Sequence, residues 1–284
     1  MISFTNETEA AGQHRRFIKL SGAGNDFIFV DARQGGFGVV ERRELARRLC
    51  DRRFGVGADG AVFVETCVKG TAEYRWDFYN SDGSTAEMCG NAARCMARWA
   101  QHAEGVAPLE RTTFETAAGR ASCAMHGEVA EADLPFVGRS SRVIDGGWLY
   151  DIGVPHAVVE VQELDRAQSA DGARLIERLR WLPEAGARGA NVTFFARSPQ
   201  PGRISSTTFE RGVEGFTMAC GTGVIAAALA SLGEGFDDGK EVAVTVVSPG
   251  GVMEVSFEAS RPGVRLRGPA SFVCEGEFAE EFLR

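Results

Sequence analysis

The chain uses one local pattern twice, and that repetition limits its fold more than any other feature. A polar, glycine-containing turn delivers Cys-Gly onto the start of a helix. In the first copy Asn80, Asp82, Gly83 and Ser84 supply the turn, residue types that favour tight reversals and local side-chain-to-backbone bonds. Cys89 and Gly90 then open a helix on which Ala93, Met96, Ala97 and Ala100 follow helical spacing. In the second copy Glu210, Arg211, Gly212 and Gly215 lead to Cys220 and Gly221, ahead of a helix over 222–232. That helix is apolar or small on every side, so it must be buried all round. Two such helices in opposite halves of one chain predict two similar domains facing each other.

A cysteine at a helix N-terminus is in an unusual electrical position. The unpaired N–H groups and the helix dipole favour the thiolate and can draw its pKa well below the free value of roughly 8.5. The same N–H groups form an anion site suited to a carboxylate. A plainer account is that buried cysteines and small residues simply allow close helix packing. It serves for one Cys-Gly start and less well for two, each preceded by a polar turn.

At 284 residues the chain has room for two domains with their own cores. Its net charge of −8 argues against a nucleic-acid partner, which calls for a clustered basic face. No apolar run approaches the ~20 residues of a membrane span. Residues 1–13 carry no charged-then-apolar signal pattern, and 1–15 are expected to be a frayed extension. Seven cysteines, an odd number without a regular framework, fit a reducing cytoplasm.

The remainder reads as many short strands and few helices, an α+β chain without regular βαβ alternation. Strands are predicted over 17–20, 28–31, 61–65, 74–79, 111–116, 121–125 and 128–134, with a surface helix over 41–53. Residues 55–60, Gly-Val-Gly-Ala-Asp-Gly, match G-x-G-x-x-G. A helix precedes them and a strand follows, the reverse of the dinucleotide fingerprint, so they read as a glycine turn. Pro135 and the polar run to Ser141 look like a domain boundary. Further strands are predicted over 148–151, 157–161, 191–196, 204–210, 242–247, 252–257, 264–267 and 271–275, with a helix over 171–181 ending before Pro183.

These stretches together resemble the diaminopimelate epimerase family. The resemblance runs from Phe17 to Glu277 and rests on Gly-Ala-Gly-Asn-Asp-Phe (22–27), Asn-Ser-Asp-Gly-Ser (80–84), Met-Cys-Gly-Asn-Ala-Ala-Arg-Cys (88–95), Pro-His (155–156), Asn191, and Glu-Arg-Gly through Ala-Cys-Gly-Thr-Gly (210–223). It implies two pseudo-symmetric domains, each a curled, barrel-like mixed sheet around a central helix. The division would be 1–133 and 134–269, with 270–284 returning to the first domain. It also implies a cofactor-independent inversion of one α-carbon of diaminopimelate, on the route to lysine and cell-wall peptide.

The chemistry explains two cysteines. An amino-acid α-proton is a very weak acid, and inversion removes it from one face and replaces it on the other. A thiolate on one face and a thiol on the other do this without moving the substrate. The charge spreads onto the α-carboxylate, where the N–H groups at Gly90-Asn91 and Gly221-Thr222 can stabilise it. Cys89 and Cys220 are the expected catalytic pair. By resemblance, His156 and Glu210 tune the thiols, and Asn25, Asn80, Asn191, Glu210 and Arg211 hold substrate, Arg211 suiting a distal carboxylate through a bidentate pair.

Three positions depart from the family pattern. Val154 stands where asparagine is frequent, Gly60 where some members carry glutamine, and Cys274 where many have an aromatic residue used in a homodimer contact. They leave open a related racemase with another amino acid as substrate, such as histidine. A pyridoxal-phosphate enzyme would need a Schiff-base lysine, yet Lys19, Lys69 and Lys240 stand in no polar motif. Cys89 and Cys95 are too far apart for the usual zinc spacing, so no metal or other cofactor is expected. A non-catalytic amino-acid binder would have no use for thiols on both sides.

Overall fold

Strand residues here alternate between two buried faces, which gives each half three layers. The computed structural model describes residues 16–35, 38–68, 70–108, 110–135, 141–144, 146–233, 241–257 and 263–283. The extension expected at 1–15 and the boundary residues 136–140 lie outside them. The first half comprises β1 (Arg16–Gly22), β2 (Asn25–Asp31), α1 (Val39–Cys50), β3 (Gly60–Thr66), β4 (Tyr74–Asn80), α2 (Gly90–Glu104), β5 (Thr112–Thr116), β6 (Gly119–His126) and β7 (Val129–Pro135). The second comprises β8 (Ser141–Ile144), β9 (Gly147–Asp151), β10 (Pro155–Glu160), α3 (Ala170–Arg180), β11 (Asn191–Arg197), β12 (Arg203–Glu210), β13 (Gly215–Phe216), α4 (Gly221–Leu232), β14 (Val242–Ser248), β15 (Gly251–Phe257) and β16 (Gly263–Pro269). β17 (Ser271–Glu277) and α5 (Glu280–Leu283) close the chain.

Phe27 and Phe29 of β2, with Val62 and Val64 of β3, face inward onto Ala93, Met96 and Ala97 of α2. Their alternate neighbours Ile28, Val30, Ala61 and Phe63 face outward beneath Leu45, Ala46 and Leu49 of α1. The second half repeats this. Val158 and Phe195 join the core around α4, while Ala157, Val159, Val192 and Phe194 pack under Leu175, Ile176 and Leu179 of α3. Period-2 alternation with both faces apolar is what a two-sided sheet requires.

The pairing order also repeats. From β1 to β7 successive pairs run antiparallel, parallel, antiparallel, parallel, antiparallel, antiparallel. The same sequence runs from β9 through β10, β11, β12, β14 and β15 to β16. α1 and α3 occupy equivalent crossovers, as do α2 and α4. The fold is thus α+β with two pseudo-symmetric halves, each curling around a central helix. The halves are not separate sheets: β16 pairs antiparallel with β7, and β17 pairs with β1, the first strand described.

Local departures from expectation have local causes. α1 stops at Cys50, short of residue 53, because the Asp51 carboxylate accepts the N–H groups of Arg53 and Phe54 at 2.7 Å each. The glycine turn at 55–60 does link a helix to a strand. A Cβ at Gly55 would lie 2.1 Å from the Arg48 carbonyl oxygen, so only glycine fits that approach. Among the described residues no helix is long and apolar enough to cross a membrane.

Candidate active site

The two Cys-Gly helix starts meet. Cys89 and Cys220 are the N-caps of α2 and α4, with nearly equal backbone angles, φ −136° and ψ 112° against φ −113° and ψ 111°. A Cβ at Gly221 would stand 3.2 Å from both the Asn91 nitrogen and the Gly90 Cα. Glycine at both positions therefore lets the two helix N-termini approach to backbone contact. The buried Asn91 amide spans the junction, donating to the Ala219 carbonyl at 3.0 Å and to Asn25 Oδ1 at 3.1 Å. Asn25 is delivered by the β1–β2 hairpin, whose Ala23 and Gly24 both have positive φ (59° and 83°). That is the mirror-image turn suited to strand twist. Asn25 in turn donates to Asp59 at 2.5 Å.

In the second half, strand register builds the cluster. His156 and Asn191 are partners across the parallel β10–β11 pair, and Thr193 and Thr208 across β11–β12. The Arg211 N–H donates to Asn191 Oδ1 at 2.9 Å, which turns the Asn191 NH₂ toward His156 Nε2 at 3.2 Å. Nε2 is therefore an acceptor, also of the Thr222 hydroxyl at 2.9 Å. The ring proton sits on Nδ1 and is donated to Thr193 at 3.0 Å, and Thr193 lies 3.1 Å from Thr208. Burial, then the positive Arg211, push the fully buried His156 down to about 3. It is a neutral imidazole at any ordinary pH.

Thr222 Oγ1 also lies 3.4 Å from Cys220 Sγ, and the Gly223 N–H points at the same sulfur at 3.4 Å. The Glu210 carboxyl accepts the Thr217 hydroxyl and hydrogen-bonds Cys220. Burial holds Glu210 above the usual carboxylate range. The expectation that the helix starts lower the thiols is not met in this structure. Burial pushes Cys89 up to about 11 and Cys220 well above its ordinary value, and the Glu210 charge raises both further. The N–H groups of Ala92 and Asn91 on Cys89, and of Gly223 on Cys220, act in the expected sense but are outweighed. Both cysteines are free thiols.

The remaining expected residues lie around this cluster. Arg211 donates from Nη1 to the Gly189 carbonyl at 3.0 Å, and among the described residues it forms no ion pair with a carboxylate. Burial, then the charges of Arg188 and Arg180, depress it, while Glu87 and Asp151 act in the opposite sense. Asn80 ends β4 as Glu210 ends β12, but its amide donates to Ser84 Oγ at 2.9 Å within the turn. Nothing described joins Asn80 to the cysteines directly. A Cβ at Gly60 would lie 2.8 Å from the Tyr79 carbonyl oxygen, so the strand fits glycine there. Val154 is half-buried, its carbonyl accepting the Ile152 N–H. Cys274 is exposed on β17. Sequence reasoning missed Asp59, Thr193, Thr208, Thr217 and the buried Arg94. Only Arg94 carried a signal, as a charged residue on the apolar face of α2.

A family model described as diaminopimelate epimerase matches residues 17–134 and 148–273. A diaminopimelate epimerase of Chlorobaculum tepidum is 38% identical over 264 residues, spanning 90% of this chain and 98% of that protein. That of Aquifex aeolicus is 34% identical over 282 residues, spanning 94% and 99%. Among solved structures, a phenazine biosynthesis protein of the PhzF family from Bacillus anthracis superposes with a TM-score of 0.70 at 16% identity, covering 93% of this chain and 99% of that one. A probable proline racemase from Agrobacterium radiobacter gives 0.64 at 18% identity, covering 94% and 93%. At such identities the two structures speak for the fold alone.

Proposed function

Because the chain belongs to the diaminopimelate epimerase family, we propose that it interconverts LL- and meso-diaminopimelate without a cofactor, by proton transfer at one α-carbon between Cys89 and Cys220. The observation that carries this reading is the backbone contact of the two Cys-Gly helix starts. It brings two helix N-termini and two thiols to one place, one of each from each half. A carboxylate bound there would draw on both helix dipoles. As the α-proton leaves, negative charge moves onto that carboxylate, and donors already in position stabilise it without reorganising.

Both thiols rest in the protonated form, so one must lose its proton for a turnover. Thr222 lies between Cys220 and His156 Nε2. While its hydroxyl donates to the imidazole, its oxygen can accept the Cys220 S–H. When Cys220 is a thiolate, the same hydroxyl can turn to the sulfur. A neutral His156 permits both states, whereas an imidazolium would hold the hydroxyl oxygen as acceptor. Glu210, kept above its ordinary range, is the acid–base partner next to Cys220. Which cysteine acts as base depends on the isomer bound.

Arg211 is the reader of the distal carboxylate. Its guanidinium pairs with no carboxylate among the described residues, and its planar fork suits a carboxylate ligand. This favours a dicarboxylic substrate over a histidine-like one, despite Val154. Asn25, Asn91 and Asn191 position the site, and Asn80 would join them on substrate binding. The two halves, divided after β7, are the two domains, with β17 and α5 completing the first. The exposed β17 edge, with Phe272 and Val273 beside Cys274, is the face for a homodimer, and the enzyme works in the cytoplasm on a free amino acid.

The test is incubation in D₂O with LL-diaminopimelate and separately with a panel of L-amino acids. Deuterium at the α-carbon of diaminopimelate alone is the expected result. Exchange into another amino acid and none into diaminopimelate overturns the substrate.

A further inference from the structure

Arg94 lies on α2, one turn after Gly90, and its side chain is fully buried at 0% exposure. A guanidinium is costly to bury unless carboxylates neutralise it. Among the described residues Arg94 pairs with none. Its contacts are all neutral oxygens: Nη2 donates to Asn91 Oδ1 at 2.9 Å, Nη1 to the Gly90 carbonyl at 3.4 Å and Nε to the Pro269 carbonyl at 3.4 Å. Burial brings it down only to about 10, so it is a cation at neutral pH.

Each contact has a geometric consequence. Accepting from Arg94 fixes the Asn91 amide so that its NH₂ must face Ala219, the residue before Cys220. The carbonyl of Gly90 belongs to the helix start that carries Cys89. Pro269 ends β16, the strand that ties the two halves together. The charge also acts on chemistry: it favours the thiolate of Cys89, in a smaller measure than burial and the Glu210 charge oppose it. No substrate contact is needed for either effect.

We propose that Arg94 is a positioning residue that holds the two Cys-Gly helix starts in register through Asn91 and keeps a permanent positive charge against the Gly90 carbonyl, at the helix start that carries Cys89. The proposal rests on the two-thiol reading of the site. It assigns the buried cation two separable duties, spacing and charge.

Three chains separate them: wild type, Arg94→Lys and Arg94→Met, each assayed for epimerisation. Each is also made in a Cys220→Ser background, where the pH profile of iodoacetamide alkylation at Cys89 is followed by peptide mapping. Arg94→Met is expected to lose kcat by about 100-fold, the scale for misplaced reacting groups. It should also move the Cys89 alkylation midpoint upward, as loss of an opposite charge demands. Arg94→Lys keeps the charge and loses the planar fork, so the midpoint stays and kcat falls by about tenfold. An unmoved midpoint in folded Arg94→Met overturns the charge, and an unchanged kcat in Arg94→Lys overturns the spacing. Should Arg94→Met fail to fold, Arg94→Gln is read in its place by the same criteria. The alkylation profile is recorded without substrate, so it tests Arg94 even if diaminopimelate proves not to be the substrate.

Discussion

Replacing His156 should make the protein more tolerant of acid, at the cost of stability at neutral pH. The imidazole is held at about 3 instead of its ordinary 6.5. Between those values the unfolded chain binds a proton that the folded chain refuses. Stability from this group is therefore complete above pH 6.5 and is lost as pH falls toward 3. At pH 4.5, two pH units below 6.5, the loss is about 2.7 kcal/mol, at about 1.4 kcal/mol per unit. For a chain of this size that is a fall in Tm of roughly 5 °C. In His156→Asn the amide keeps a donor toward Thr193 and nothing titrates. The variant should be less stable than wild type at pH 7.5 by about 1–2 kcal/mol, from lost hydrogen bonds to Thr222 and Asn191. The carboxylates that titrate in the same range are common to both chains and cancel in the difference. Thermal melts of the pair from pH 7.5 to 4.5 should show wild type losing about 5 °C relative to the variant, more than its starting lead, so that their order reverses. Melting curves that stay parallel across that range would refute a buried neutral His156.

The other predictions concern turnover. Cys89→Ala and Cys220→Ala should each abolish epimerisation with the melting temperature little changed, and near-wild-type activity in either would sink the two-thiol mechanism. Arg211→Lys should lower kcat/KM for diaminopimelate at least ~10-fold by losing the bidentate fork, and a silent substitution would mean that the distal carboxylate is held elsewhere. Gly221→Ala puts a methyl 3.2 Å from the Asn91 nitrogen and the Gly90 Cα. It should cost about 1–3 kcal/mol in urea unfolding while reducing kcat by about 10-fold or more as the helix starts part. Equal kcat for Gly221→Ala and wild type would show that their spacing is not critical.

The parts of the fold that were legible in the sequence are those governed by local chemistry. Cys89 and Cys220 fall at helix N-caps as expected, because a polar turn followed by small residues leaves few other conformations. The all-apolar helix at 221–232 is surrounded, since no face of it can meet water. Long-range pairing was not legible: nothing in residues 129–135 or 263–269 announces that β7 and β16 join the halves. The thiols were misjudged for a related reason. Helix-end N–H groups can be inferred from Cys-Gly, but the enclosure that raises Cys89 and Cys220 depends on Glu210 and on walls from both halves. Arg94 was passed over: Asn91 lies one helical turn before it, but its contact with Pro269 arises only after folding. The hydroxyl chain of Thr193, Thr208 and Thr222 looks like ordinary strand and turn composition until register aligns it with His156.

The pairing of β17 with β1 has a consequence in time. A ribosome releases Arg16–Gly22 long before its partner Ser271–Glu277. Everything the second half needs, from β9 to β15, is synthesised in the interval and pairs within itself. The first half meanwhile holds β1 as an open edge, the kind of edge that other chains can pair with. The half made first is therefore the half finished last, and nascent chains interrupted before Ser271 carry an unprotected strand.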